Sequence, residues 1–478
     1  MDELVRRVLD ATTRAGIRVA EVRVERARSS RVQVRGAEVE ELREDEGLGL
    51  GLSVWVDGCE GFASTSDFSA RSIEQAVADA REAAEASAIA RRHPHEPMLP
   101  TTAASWRTPR HGDPWDASVA DRIALLADAN GRAMDEPRVF MAKSFAGWFR
   151  YERLYANTAG ARIEQDLVET GAQLQAFARN GVDVESRSYP TTLFTWQAAG
   201  EELIRELDLG GHARRTASEA ARLLDAERCP EGRATVVLGP YLMMLQIHES
   251  IGHPLELDRV LGDEKGFAGA SFATPDRLGQ RYGSELMNVV VDPTLRGAMG
   301  SYAFDDEGTP ASRRAVIERG VLVDYLSSRE SAARLGLPST ASMRTVGWKH
   351  KPIVRMSNLS LLPGASTFDE IIASTDDGLY LEHTTSGSID DNRLDFQFAA
   401  EIGWRIKNGK LTEELVRRPS YAGRTPEFWA SLDALGDAAS WRCGGTPSCG
   451  KGQPLQIAHV SHGSPVARFR DVRVGVGR

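Results

Sequence analysis

The stretch Gln246-Ile247-His248-Glu249-Ser250-Ile251-Gly252-His253-Pro254 brackets a glutamate between two histidines. Two neutral imidazoles are zinc ligands, and a carboxylate beside the metal can take a proton from its bound water. The chain holds ten histidines in 478 residues, so a chance H-E-x3-H is expected well under once. Gly239-Pro240 predicts the start of a helix, with proline in its first turn. Leu242, Leu245, Ile247 and Ile251 supply its apolar positions. In the common H-E-x-x-H form the histidines lie four apart and share a helix face. Here they lie five apart, so a straight α-helix would turn His253 about 140° away from His248. Gly252 permits an irregular helix end and Pro254 disfavours α geometry at His253. The expectation is a broken or widened last turn that swings His253 back toward His248.

A catalytic zinc takes three protein ligands and leaves a position for water. The best third candidate is Cys449, in Pro447-Ser448-Cys449-Gly450-Lys451-Gly452-Gln453-Pro454. Its glycines allow close approach, and Lys451 would help keep the sulfur ionised. Cys443, six residues earlier, leaves a four-ligand structural site open, although such a site has no use for Glu249. A thiolate lowers the net charge of the centre from +2 to +1, which places more weight on Glu249 as the base.

Composition limits the alternatives. The 58 basic and 68 acidic residues give a net charge of −10, which argues against nucleic acid or an acidic membrane as partner. Four cysteines, the other two being Cys59 and Cys229, are too few and scattered for a disulfide framework. The N-terminus carries acid at once and lacks an apolar core, so no secretory signal is predicted. No run approaches the roughly 18 to 20 apolar residues of a membrane span. A cytoplasmic location is the expectation.

The predicted fold class is α+β. N-terminal α/β-type units precede a C-terminal domain rich in mixed or antiparallel sheet, which carries the metal-site helix. The expected units are 1–92, 115–227 and 232–478. Leu4, Val5, Val8, Leu9 and Ile17 follow helical spacing, and residues 19–24, 31–34 and 47–56 read as strands. Asp57-Gly58 marks a hairpin turn, and residues 70–90 an Ala-rich helix. Residues 91–114, including His93-Pro94-His95-Glu96, read as a linker or solvated loop. Helices are expected near 117–136 and 200–226, with strands between them. Residues 234–238 read as a strand that follows the main boundary.

With these residues in view, the chain resembles the TldD/PmbA family, on its TldD side. The resemblance rests on His248-Glu249-Ser250-Ile251-Gly252-His253 and Cys449-Gly450-Lys451-Gly452-Gln453. Asp305-Asp306-Glu307-Gly308-Thr309-Pro310, residues 320–326, Met356-Ser357-Asn358, Leu361-Leu362-Pro363-Gly364 and Phe398-Ala399-Ala400-Glu401 agree in order. It implies a zinc metallopeptidase acting on unfolded peptides, working as a homodimer or beside a homologous PmbA/TldE-like chain. Carried over by position, His248, His253 and Cys449 are the ligands and Glu249 the general base. Cys443 departs from the pattern. The alternative is a non-catalytic regulatory subunit of such a complex. A hydrolase of small molecules and a regulator that binds DNA-topology proteins are further rivals.

Three other histidines are candidates for a second oxyanion donor or a substrate contact. His459 and His462 follow the cysteine loop, and His383 precedes a polar turn. The Asp305 to Glu307 cluster is read as a solvated or backbone-bonding loop rather than a second metal site.

Overall fold

The computed structural model describes residues 1–90, 95–264, 266 and 269–476. His93 and the first expected boundary, at residue 92, lie outside the described residues. The fold is α+β and organised by two large sheets.

Four strands set the frame of the first sheet: Val19–Arg35, Glu38–Val56, Val139–Asn157 and Arg162–Asn180. Each has 17 or 19 residues, about 60 Å of extended chain, where 3 to 10 residues are usual. Segments 19–24 and 31–34, expected as separate strands, are two ends of one. Its interior, Arg26 to Ser30, is too polar to show an apolar alternation, and pairing on both sides holds it extended. Each end meets its own helices. Val22, Val24, Leu50, Leu52 and Val54 pack with the helices Asp2–Arg14 and Ala70–Ala90. Val32 and Val34 pack with Val119–Met134 and Leu209–Leu223. The single helix expected near 200–226 is two, broken at Asp208, whose φ of 45° is left-handed. Both residues of the Asp57-Gly58 turn have positive φ, as a two-residue hairpin loop requires.

This sheet does not stop at the middle unit. The short strand Trp196–Gln197 pairs with Arg162–Asn180 on one side and Arg442–Lys451 on the other. The sheet continues through Gln456–Ser464, Asn358–Leu361 and Val289–Val291. The second sheet is built from C-terminal strands and the short strand Glu227–Arg228. Most pairings are antiparallel. The parallel ones include Gly232–Leu238 with Asp377–Ile389 and Asn358–Leu361 with Gln456–Ser464.

Side chains also tie the N-terminal strands to the C-terminal domain. Trp348 lies on Gly49, where an added Cβ would meet its ring at 2.1 Å. Buried Glu21 pairs with Arg329, and Arg187 with Glu401 at 2.7 Å.

The helix Pro240–Ile247 lies against strands of both sheets. Leu242 through Ile247 are all buried, the pattern of a helix enclosed on every side rather than an amphipathic surface helix. Its C-terminal end carries the two histidines. No helix among the described residues is long and apolar enough to cross a membrane.

Candidate metal centre

The α-helix ends at Ile247, and His248–Gly252 form a π-turn. The backbone N–H of His253 donates to the His248 carbonyl five residues back. A turn closed from i to i+5 brings residues five apart onto one side, so the wider turn compensates for the spacing. Two local expectations are corrected. Gly252 has ordinary right-handed helical angles, φ −58° and ψ −65°. Its lack of a side chain serves packing, because a Cβ there would meet Met356 Sδ at 1.9 Å. His253 keeps α geometry, φ −62° and ψ −40°, and opens the 3-10 turn His253–Leu255, where Pro254 is tolerated because a first-turn N–H is not needed. The Ser250 carbonyl accepts from Tyr282 at 2.6 Å, and the Ser250 hydroxyl from Trp429 Nε1 at 2.9 Å. Side chains of the core thus satisfy the irregular turn.

His248, His253 and Cys449 come together. One ligand atom from each lies within 4.8 Å of the others, and all three residues are buried. Among the described residues they are the group that could hold a metal ion. Tetrahedral zinc separates a coordinated nitrogen and sulfur by about 3.5 Å. His253 Nε2 and Cys449 Sγ lie 3.7 Å apart.

The donor chemistry also fits zinc. His253 Nδ1 lies 3.0 Å from Glu256 Oε2. A carboxylate accepts, so that nitrogen carries the proton and Nε2 turns its lone pair toward the sulfur. Burial works against the Glu256 charge, but Lys451, His253 and Arg259 hold its pKa well below the ordinary value. Burial likewise opposes the Cys449 thiolate, but the Arg355 cation brings its pKa below that of a free thiol. Arg355 Nη2 lies 3.1 Å from Cys449 Sγ and 2.5 Å from the Cys449 carbonyl. The cation on the sulfur is therefore Arg355, and not Lys451 as expected. Lys451 donates to Asp258 at 2.7 and 2.9 Å and to the Val354 carbonyl. Formally, Glu256, Asp258 and the thiolate balance Arg259, Arg355 and Lys451, so the pocket behind the ligands is neutral.

Glu249 stands at the partly open side of this group, its side chain 23% exposed. Arg393 Nη1 donates to Glu249 Oε2 at 2.8 Å. Burial opposes the charge, yet His253, His248 and Arg393 keep the Glu249 pKa below its ordinary value. The carboxylate is thus available as a base.

The structure separates the remaining histidines. His462 Nε2 is 2.7 Å from His248 Nδ1, and burial lowers the His462 pKa well below the usual imidazole range. Both ring nitrogens of His462 are engaged inside the protein. His459 is held by Glu169 at 2.5 Å and packs on Phe149. His383 lies 3.1 Å from Arg187 and 3.4 Å from Glu401. Neither belongs to the three-ligand group, and each is engaged by a structural carboxylate. Cys443 also stays outside it, its thiol pKa pushed up to about 12 by burial. The Asp305–Glu307 loop bonds backbone as expected. Asp305 accepts from the N–H groups of Glu307 and Thr309, Asp306 from Thr345 and Glu307 from Arg329. It is buried rather than solvated.

Sequence reasoning missed Glu256, Arg355 and Arg393. Glu256 carried a signal, since an acid three residues after a ligand histidine can orient its ring. Arg355 and Arg393 had none, because the fold alone brings them in.

Comparison with known proteins agrees along the chain. The PmbA/TldA metallopeptidase domain 1 matches residues 20–84, the central domain 112–224 and the C-terminal domain 231–476. A metalloprotease of Methanothermobacter thermautotrophicus is 30% identical over 96% of both chains. One of Methanocaldococcus jannaschii is 30% identical over 87% of this chain and 89% of its own. Among solved structures, TldE from Thermococcus kodakarensis shares the fold with a TM-score of 0.73 at 15% identity, covering 98% of this chain and 99% of that one. A proposed modulator of DNA gyrase from Thermotoga maritima has a TM-score of 0.78 at 18% identity, covering 99% and 100%. On its sequence matches, the chain belongs to the PmbA/TldD metallopeptidase family.

Proposed function

We propose that this chain is a zinc-dependent metallopeptidase that cleaves unfolded peptides or short protein segments in the cytoplasm. The supporting observation is the convergence of His248, His253 and Cys449 beside a deprotonated Glu249. Held by these three side chains, zinc would supply Lewis acidity and make a water in its open position easier to deprotonate.

The protein's own groups do the rest. His253 is oriented by Glu256, and Cys449 is kept ionised by Arg355. Glu249 takes the proton from the attacking water and returns it to the leaving amine. Arg393 holds the Glu249 carboxylate in place during both transfers. A scaffold or regulatory subunit would need none of these four arrangements. By the same reading the chain pairs with a second copy or with a homologous chain without the histidine motif.

Glu249→Gln tests the base. Hydrolysis of denatured peptides should fall about 10²- to 10⁴-fold, the usual weight of a general base, while zinc stays bound. Full peptidase activity in that variant would contradict the proposal.

A further inference from the structure

We propose that His462 is a positioning residue for the metal site, fixing the tautomer and ring orientation of His248 so that His248 meets the ion through Nε2. The inference rests on the zinc reading above and adds how one ligand is held.

The reasoning starts at a backbone carbonyl. His462 is fully buried on the strand Gln456–Ser464. Its Nδ1 lies 3.2 Å from the Leu359 carbonyl, in the neighbouring strand. A carbonyl only accepts, so the proton of a neutral His462 sits on Nδ1 and leaves a lone pair on Nε2. That lone pair faces His248 Nδ1 at 2.7 Å. His248 Nδ1 must therefore carry a proton, and His248 Nε2 is left bare. Reversing both tautomers would keep the bond between the rings but set the His462 Nδ1 lone pair against the Leu359 carbonyl, and reversing His248 alone would set two lone pairs against each other at 2.7 Å. Orientation follows as well as protonation. The His248 and His462 rings cross at 81° with centroids 4.9 Å apart, and Phe194 meets His462 edge-on at 5.9 Å. The cross-strand partner of His462 is Gly444, whose missing side chain leaves room for Phe194.

The two ligand imidazoles are thus set by different devices. A carboxylate, Glu256, fixes His253 and adds negative charge. His462 fixes His248 without adding any charge. A site that already includes a thiolate keeps more of its Lewis acidity with a neutral orienting group than with a second carboxylate.

The test uses the full chain, first without metal. Nitrogen NMR of histidine-labelled apo protein should show His248 with a bare Nε2. Zinc affinity is then measured by competition with a chromophoric chelator. His462→Leu should weaken zinc binding 10- to 100-fold, as loss of an orienting partner does, and His462→Gln, which keeps an acceptor near the position of Nε2, should recover it to within about threefold. A protonated Nε2 on His248 in the wild type would overturn the proposal even if His462→Leu failed to fold. So would unchanged affinity in His462→Leu, or equal losses in both variants. A wild type that binds no zinc would defeat the peptidase reading along with this one, whereas zinc bound beside a protonated apo Nε2 would defeat this one alone.

Discussion

At the scale of single residues, the account turns on how a buried sulfur stays charged. Cys449 could be picked from the sequence because glycines flank it and a lysine follows two positions later. The lysine was misleading. A cation near in sequence need not be near in space, and the strand carrying Lys451 directs it to Asp258. Arg355 reaches the sulfur from 94 residues away, a distance no local pattern reports. The consequence can be measured. Zinc displaces whatever proton the thiol still holds, so a thiol already ionised releases less than one. Arg355→Met removes the guanidinium, raises the thiol pKa and should increase proton release on zinc binding at pH 7.5. Calorimetry in buffers of different ionisation enthalpy reads that number, and equal release from both proteins would contradict the role given to Arg355.

At the scale of elements, the widened turn was legible and its cause was not. The five-residue spacing required some departure from an α-helix, and the π-turn His248–Gly252 supplies it. Gly252 pointed to the right place for a different reason. Its φ is ordinary, and what needs the missing side chain is Met356. Gly252→Ala should therefore cost about 1 to 3 kcal/mol through overpacking and weaken zinc binding. Adding Met356→Ala should restore part of both losses. Urea denaturation with zinc titration checks this, and a neutral Gly252→Ala, or a double variant no better than the single one, would tell against it. The strand Val19–Arg35 was only half legible for a related reason. Its polar centre carries no alternation, and extended structure there comes from neighbours on both edges.

At the scale of the whole molecule, the N-terminal strands and the domain with the candidate metal site share a sheet and are joined by buried ion pairs. Candidate histidines could be listed from the sequence, but which of them come together with Cys449 depends on this assembly. His383 is drawn into one of the joints, beside Arg187 and Glu401. Burial opposes the Glu401 charge, yet hydrogen bonding to His383 and the Arg187 cation lower its pKa from 4.5 to about 2. A depressed carboxylate stabilises the fold above its unfolded pKa, and that contribution is lost as pH falls through the folded value. Glu401 should thus contribute on the order of 3 kcal/mol at neutral pH, lost between about pH 4.5 and 2. The stability gap between wild type and Glu401→Gln, taken from urea midpoints, should shrink across that window, and a gap independent of pH would refute the assignment. The strand with Cys449 belongs to the shared sheet, and the helix that leads into His248 packs directly on that strand. The most direct test of that convergence is zinc content by elemental analysis of the wild type, Cys443→Ser and Cys449→Ser. The account predicts one zinc per chain in the first two and none in the third; full zinc in Cys449→Ser, or its loss in Cys443→Ser, would contradict it.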